Sequence, residues 1–253
     1  MAKFLMRTLE ITTKVGCPMN CFYCPQDKLN EAYKIPRMSQ IYTLSFDDFK
    51  RAISDLPKDI RIDFSGMCEP FLNNHTTDMI LYAYNKEYKV SVFTTAIGIN
   101  EKDIDRLKHI PFETFELHLQ DKQGYSHIPQ TDYLSFILLE IKKKFKNVVT
   151  GDLSKVKIVS RAGNLESIYN QYKKGPLVCS RGLERFVLFP NGQVYLCCMD
   201  YSLDHYIGNL FVSTYSYITD GTSPQSFNTV KTLLDSEEGK IICRRCEFAD
   251  NKN

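Results

Sequence analysis

The sequence lacks a charge excess: 32 lysines and arginines stand against 30 aspartates and glutamates, a net charge of +2 over 253 residues. That balance gives no electrostatic footprint for nucleic acid or for an anionic membrane. A long apolar run is also missing. No stretch approaches the ~20 residues that a membrane span requires. The N-terminal MAKFLMRTLEITTK is interrupted by Arg7 and Glu10 and does not read as a signal peptide. There is no low-complexity tract and no internal repeat. What is left is the composition of an ordinary soluble protein, 43% hydrophobic and 25% charged. The reading is cytoplasmic, with neither nucleic acid nor membrane as partner. A chain this long buries roughly 70–75% of its unfolded surface, so disulfides are not needed to fold it.

Cysteine, by contrast, is plentiful. Nine are present, at 17, 21, 24, 68, 179, 197, 198, 243 and 246. In a reducing compartment such closely spaced thiols read as metal ligands before disulfides. The stretch GCPMNCFYCP (16–25) sets Cys17, Cys21 and Cys24 in a C-x3-C-x2-C triplet. A closed tetrahedral zinc site takes four ligands; three point to a metal centre with one position left open. A second group lies near the other end of the chain, which implies two sites.

Between them, strand-like and helix-like segments alternate. TLEITT (8–13), DIRIDFSG (59–66), KVSVFTT (89–95), FETFELHLQ (112–120) and KVKIVS (155–160) read as strands. Helical spacing marks 46–56 with Ser45 as cap, 76–88, 100–110 with Asn100 as cap, and 133–145. That alternation predicts βαβ units and a parallel sheet. Five strands, with ERFVLFP (184–190) as a possible sixth, are too few for an eight-stranded barrel and suit an incomplete, open one. Chemistry in such folds gathers at the carboxyl ends of the strands. After Pro176 the character changes: RFVLFPNGQVYLCC (185–198) reads as a hairpin turning at Pro190-Asn191-Gly192, and KTLLDSEEGK (231–240) as a helix.

The cysteine triplet, with Tyr23 before its last member, resembles the signature of the radical S-adenosylmethionine (SAM) superfamily. Ser65-Gly66-Met67-Cys68-Glu69-Pro70 resembles that family's GGEP segment, with Cys68 in place of the second glycine. Phe93-Thr94-Thr95-Ala96-Ile97-Gly98 resembles the segment that contacts the ribose, without the usual asparagine before the glycine. The resemblance implies a 4Fe–4S cluster on Cys17, Cys21 and Cys24 and a SAM site that includes Tyr23, Gly66, Glu69, Pro70, Thr94 and Thr95. Arg161, expected at a strand end, is a candidate for the SAM carboxylate or for the substrate. The bland alternative for it is a surface ion pair. Cys68 is either a small residue tolerated in the SAM loop or a pocket thiol.

Cys179, twelve residues, Gly192, four residues, Cys197, then Cys243-x2-Cys246 resembles the C-terminal Twitch domain, a shortened SPASM domain with one auxiliary 4Fe–4S cluster. Spacing alone does not separate iron–sulfur from zinc here; the upstream triplet favours iron–sulfur. Cys198 should point to the other face as a packed thiol. The fold class expected is α/β: a partial (β/α)6-type TIM barrel over 1–175, then a small β-hairpin and helix auxiliary-cluster domain over 176–253.

Size and cysteine pattern resemble the radical SAM aminocyclitol dehydrogenases of the 2-deoxy-scyllo-inosamine type. The resemblance implies oxidation of a secondary alcohol on a small polar substrate, SAM and two 4Fe–4S clusters as cofactors, and an external reductant such as flavodoxin or ferredoxin. Arg161 and His118 are the candidates for proton handling. His118 shares a strand face with Glu116 and Gln120, although a lone strand histidine is more often structural. Asp200 and Tyr201 are placed to reach the pocket from the second domain. The competing readings are a peptide-modifying maturase and a redox-neutral epimerase on a sugar or nucleotide. A zinc-stabilised binding module leaves Glu69 and the open triplet without a role.

Overall fold

The computed structural model describes residues 7–34, 40–152, 158–168, 171–219 and 227–252. Its central sheet runs β5-β4-β3-β2-β1-β7-β8-β9. The strands are β1 (Thr8–Ile11), β2 (Arg61–Phe64), β3 (Val90–Thr94), β4 (Thr114–Leu119), β5 (Val148–Asp152), β7 (Arg185–Leu188), β8 (Gln193–Tyr195) and β9 (Tyr206–Asn209). Strands β1 to β5 and β7 are parallel, and β8 and β9 continue antiparallel. A separate pair joins β6 (Leu177–Cys179) to β10 (Ala249–Asn251).

Alternation along the strands builds the two faces. Leu9, Ile11, Ile62, Phe64, Val92 and Leu117 are buried in one apolar cluster with Phe49, Met79, Ile104 and Ile137 of the covering helices. Each such side chain contributes about 1.5–3 kcal/mol by leaving water. The intervening residues, Glu10, Asp63, Phe93 and His118 among them, line a cavity inside the open barrel. The helices are α2 (Phe46–Ala52), α3 (Thr76–Asn85), α4 (Glu101–Leu107) and α5 (Asp132–Lys144). Ser45 caps α2 by accepting from the Asp48 amide at 3.0 Å, and Asn100 forms a capping box with Asp103 on α4.

Four expectations shift. The strand read at 155–160 is not where the fifth strand lies: β5 occupies Val148–Asp152, residues 153–157 fall outside the described residues, and 158–160 are not strand. Gly151 disguises β5, because glycine ordinarily weakens a strand. Here a Cβ at Gly151 would stand 2.6 Å from Glu116 Oε1, so the bare backbone makes room for β4's inward side chains. The possible sixth strand is real, but it pairs with β1 and not with β5; residues beyond 176 therefore join the barrel sheet. Helix α1 (Gln26–Tyr33), directly after the cysteine triplet, was not read from the sequence. The last helix, α7 (Phe227–Asp235), starts and ends earlier than 231–240, with α6 (Tyr215–Thr219) preceding it. The β7–β8 hairpin turns at Gly192, φ +81°, where a Cβ would meet the Phe211 ring at 2.4 Å. No helix among the described residues is long and apolar enough to cross a membrane.

Candidate functional site

The cysteine triplet forms a loop between β1 and α1. Gly16 enters it at φ +94°, and the loop closes where the Cys24 amide donates to Cys21 O at 2.9 Å. The buried Gln26, first residue of α1, braces it. Its Nε2 donates to Cys24 Sγ at 3.3 Å and to Met67 O at 2.7 Å, while Oε1 accepts from the Cys17 amide at 3.4 Å. One side chain therefore couples the first and last thiols to the loop after β2. From the far side, the Tyr201 hydroxyl lies 3.5 Å from Cys24 Sγ. The thiols differ: Cys17 is drawn down to about 6, chiefly by Cys68 beside it, whereas burial raises Cys21.

The loop after β2 is pressed against β1. Gly66 has φ +57°, and a Cβ there would lie 2.4 Å from Thr12 Oγ1. Glu69 is buried and fully engaged: it accepts from Thr94 Oγ1 at 2.5 Å, from the Thr95 amide and hydroxyl at 2.7 Å each, and from the Phe71 amide at 3.3 Å. Burial raises its carboxyl, and these donors oppose the rise. Thr95 lines the cavity. Thr94 is buried behind it, also accepting from the Ala96 amide at 2.8 Å. The Pro70 carbonyl accepts from the Thr13 and Thr76 hydroxyls at 2.7 and 2.5 Å, and so anchors the loop's far end.

Arg161 does not follow a described strand. It opens a turn in which Arg161, Ala162 and Gly163 all have positive φ, +52°, +57° and +81°. Such backbone persists only when its surroundings hold it. Glu247, next to Cys246, accepts from the Ser160 amide at 2.5 Å and the Ala162 amide at 3.4 Å. The Arg161 Nε donates to Tyr23 O at 3.2 Å. Burial works against its charge, but Tyr201, Cys198 and Cys24 around it raise its affinity for the proton.

These groups meet in one cavity of about 310 Å³, lined by Cys17, Cys21, Cys24, Tyr23, Gly66, Glu69, Thr95, His118 and Arg161. His118 Nε2 is 3.5 Å from Glu116 Oε1. A larger cavity, about 1110 Å³ between Asn164 and Leu233, is lined by none of the cysteines. Tyr201 reaches the smaller cavity as expected; Asp200 does not. Asp200 is fully buried and accepts from the Asp204 and His205 amides at 3.1 and 2.8 Å, so it serves its own turn.

The second thiol group is enclosed. Cys179 on β6, Cys197 after β8, and Cys243 and Cys246 around a 3₁₀ turn line a gap of about 30 Å³. Burial pushes Cys243 up to about 12 and raises Cys197 and Cys246. Backbone amides of Met199 and Phe248 donate to Cys197 and Cys246 Sγ, both at 3.4 Å. A four-iron cube spreads its thiolates over four metal atoms, and amide-to-sulfur bonds on a buried thiol set fit such a cluster. The sequence places Cys198 on the other face as a packed thiol. It lines both cavities, and so do Arg181 and Arg185.

Gln26, Glu10, Asp63, Arg181 and Arg185 were missed as site residues. The strand alternation carried a signal for two of them: a glutamate inside TLEITT and an aspartate inside DIRIDFSG hold inward positions. Nothing local marked Gln26.

Comparison with known proteins agrees with this layout. The family described as Radical SAM superfamily matches residues 11–121, and the iron–sulfur cluster-binding domain SPASM matches residues 179–247. A probable dual-specificity RNA methyltransferase RlmN from Trichormus variabilis is 27% identical over 108 residues, 40% of this chain and 28% of that protein, so the chain spans about a quarter of that relative. A 7-carboxy-7-deazaguanine synthase from Methanocaldococcus jannaschii is 25% identical over 177 residues, 66% of this chain and 69% of its own. The crystal structure of BtrN with AdoMet and 2-DOIA superposes with a TM-score of 0.68 at 18% identity, covering 98% of this chain and 94% of that one. At that identity the likeness is one of fold.

Proposed function

We propose that this chain, a radical SAM superfamily enzyme with an auxiliary iron–sulfur cluster domain, oxidises a secondary alcohol on a small polar substrate such as a sugar, cyclitol or nucleotide-like molecule. The observation that carries the reading is the shared wall: Cys198, Arg181 and Arg185 line both the cavity at the open triplet and the enclosed thiol gap. A cluster held in that gap would therefore stand next to a reaction in the first cavity.

In this reading Cys17, Cys21 and Cys24 hold a 4Fe–4S cluster over the open barrel, whose sheet takes in β7 from beyond residue 176. Cys179, Cys197, Cys243 and Cys246 hold a second cluster in residues 176–253. Tyr23, Gly66, Glu69, Pro70, Thr94, Thr95 and Arg161 form the SAM site; Thr95 and Glu69 meet the ligand, while Thr94 and Pro70 set their positions from behind. When bound, SAM and the first cluster supply a 5′-deoxyadenosyl radical that takes hydrogen from carbon, and the second cluster accepts one electron. A flavodoxin or ferredoxin supplies the reducing electron. Arg161 has no acceptor and keeps its charge, so it binds a carboxylate or an oxygen and cannot take a proton. His118 faces the substrate from β4.

Anaerobic reconstitution with iron and sulfide tests this. The wild type should bind about eight irons and a Cys17→Ala/Cys21→Ala/Cys24→Ala variant about four. Only the wild type should release 5′-deoxyadenosine from SAM under dithionite. Zinc without iron, or no SAM cleavage by a fully loaded protein, would sink the reading.

A further inference from the structure

We propose that Glu10 is the catalytic base of this site, the carboxylate that takes the hydroxyl proton of the alcohol. The inference rests on the oxidation reading above and names the proton acceptor that reading leaves open. Strand β1 turns every second side chain inward, and Glu10 lies on the cavity with Cys17, Cys24 and Arg161. It is 5% exposed.

The other acids nearby are occupied. Asp63 stands directly opposite Glu10 in the sheet register, but its two oxygens accept from Arg61 at 2.6 and 2.7 Å. Glu69 is taken by Thr94, Thr95 and Phe71. Glu116 is directed at His118, and His118 itself stands on β4, three strands from β1. Glu10 also adjoins Cys198 in the wall between the two cavities. Proton and electron would thus leave the substrate on the same side.

The groups facing Glu10 are Asp63 from β2, Arg185 from β7, Arg181 from the loop after β6, and the Cys198 thiol after β8. Burial first, then the charge of Asp63, pushes its carboxyl up to about 7; Arg185, Cys198 and Arg181 oppose them. A carboxyl poised near neutrality suits a general base at working pH.

The step balances. Once hydrogen has left the carbinol carbon, Glu10 Oε takes the remaining hydroxyl proton: that O–H bond breaks, one forms on Glu10, and a ketyl radical anion remains. A four-iron cluster held by Cys179, Cys197, Cys243 and Cys246 would, in its oxidised state, take up the unpaired electron, leaving the ketone. Glu10 then returns its proton to water.

Two measurements on cluster-loaded wild type, Glu10→Gln and Glu10→Asp decide the matter. The first uses no substrate: infrared difference spectra across about pH 5 to 9 should show a carboxyl releasing its proton near pH 7 in wild type and not in Glu10→Gln. Carboxyls that all titrate in the acid range would overturn the proposal. The second offers 2-deoxy-scyllo-inosamine, glucosamine and myo-inositol deuterated at their carbinol carbons. Wild type and Glu10→Gln should both move deuterium into 5′-deoxyadenosine. Glu10→Gln should make ketone at least ~100-fold more slowly and lose the rise in rate through pH 7, which Glu10→Asp should partly restore. Ketone formation by Glu10→Gln at the wild-type rate and pH profile would remove Glu10 and leave the oxidation reading standing. Deuterium transfer by wild type without any ketone would remove the oxidation reading itself, and the role of Glu10 with it. Where no probe is turned over, the infrared result alone decides.

Discussion

The two thiol sites are built by opposite means. At the first, three cysteines sit on an irregular loop, held by one glutamine and a glycine-dependent contact between loops, and they face an open cavity of about 310 Å³. At the second, four cysteines from β6, the hairpin exit and a 3₁₀ turn surround about 30 Å³ of enclosed space. The first thiols differ from one another in acidity, Cys17 lowered and Cys21 raised, while burial raises Cys197, Cys243 and Cys246 together. Under the function proposed above, the open set would admit a ligand and the enclosed set would only store an electron.

Paired truncations test the contrast most severely. Cys24→Ala should abolish 5′-deoxyadenosine formation yet leave the second cluster in place by its absorbance. Cys243→Ala should keep SAM cleavage but lose net oxidation, and should also lower the folding stability of the loaded protein, since a closed cluster contributes binding energy to the fold. Equal losses of SAM cleavage in both variants would break the comparison.

The next effect belongs to the open site alone. A carboxyl held at about 7 instead of 4.5 keeps its proton in the folded chain where the unfolded chain has released it. Stability present below about pH 4.5 is therefore lost as pH climbs to 7, by an amount on the order of 3 kcal/mol. Glu10→Gln should remove that slope, so denaturant midpoints at pH 5 and pH 8 should lie closer together in the variant than in wild type.

A smaller cost is expected for Gln26→Ala, which leaves the Met67 carbonyl, the Cys17 amide and Cys24 Sγ without their partner. Denaturant unfolding should fall by about 1–3 kcal/mol, with slower iron uptake by the triplet and unchanged uptake by the four-cysteine set. The least effect should come from Arg181→Gln. Arg181 lies over the Phe248 ring at 3.8 Å at an exposed position, and losing that contact should cost about 0.5–1 kcal/mol. Its sharper readout is the midpoint potential of the second cluster, which should fall when a positive charge is taken from its wall.

The strands β1 to β4 and helices α2 to α5 were readable because apolar residues recur at periods of two and 3.6, and Ser45, Asn100 and Gly192 mark their ends with local chemistry. β5 was misplaced because Gly151 interrupts its pattern for a reason that lies on the neighbouring strand. α1 carries little apolar signal because it follows an irregular loop and buries only Gln26, Leu29 and Tyr33. The seven proposed cluster cysteines rest on a resemblance carried by their spacing, and spacing alone leaves zinc open at the second set. Arg161 lies on the cavity with the triplet, but no strand among the described residues ends at it.

What the sequence determined by itself is whatever the chain's own connectivity enforces: the triplet's narrow loop, the hairpin that returns Cys197 towards Cys179, and the alternation that sends Glu10 and Asp63 inward. What only the tertiary structure decided is which groups stand face to face. Arg161 meets Tyr23 across 138 positions and Tyr201 meets Cys24 across 177. Cys198 lies against Glu10 because β7 pairs with β1. Local spacing acts through covalent geometry over a few residues, whereas these encounters depend on sheet register and on the packing of the hydrophobic core, which no short stretch of the chain encodes.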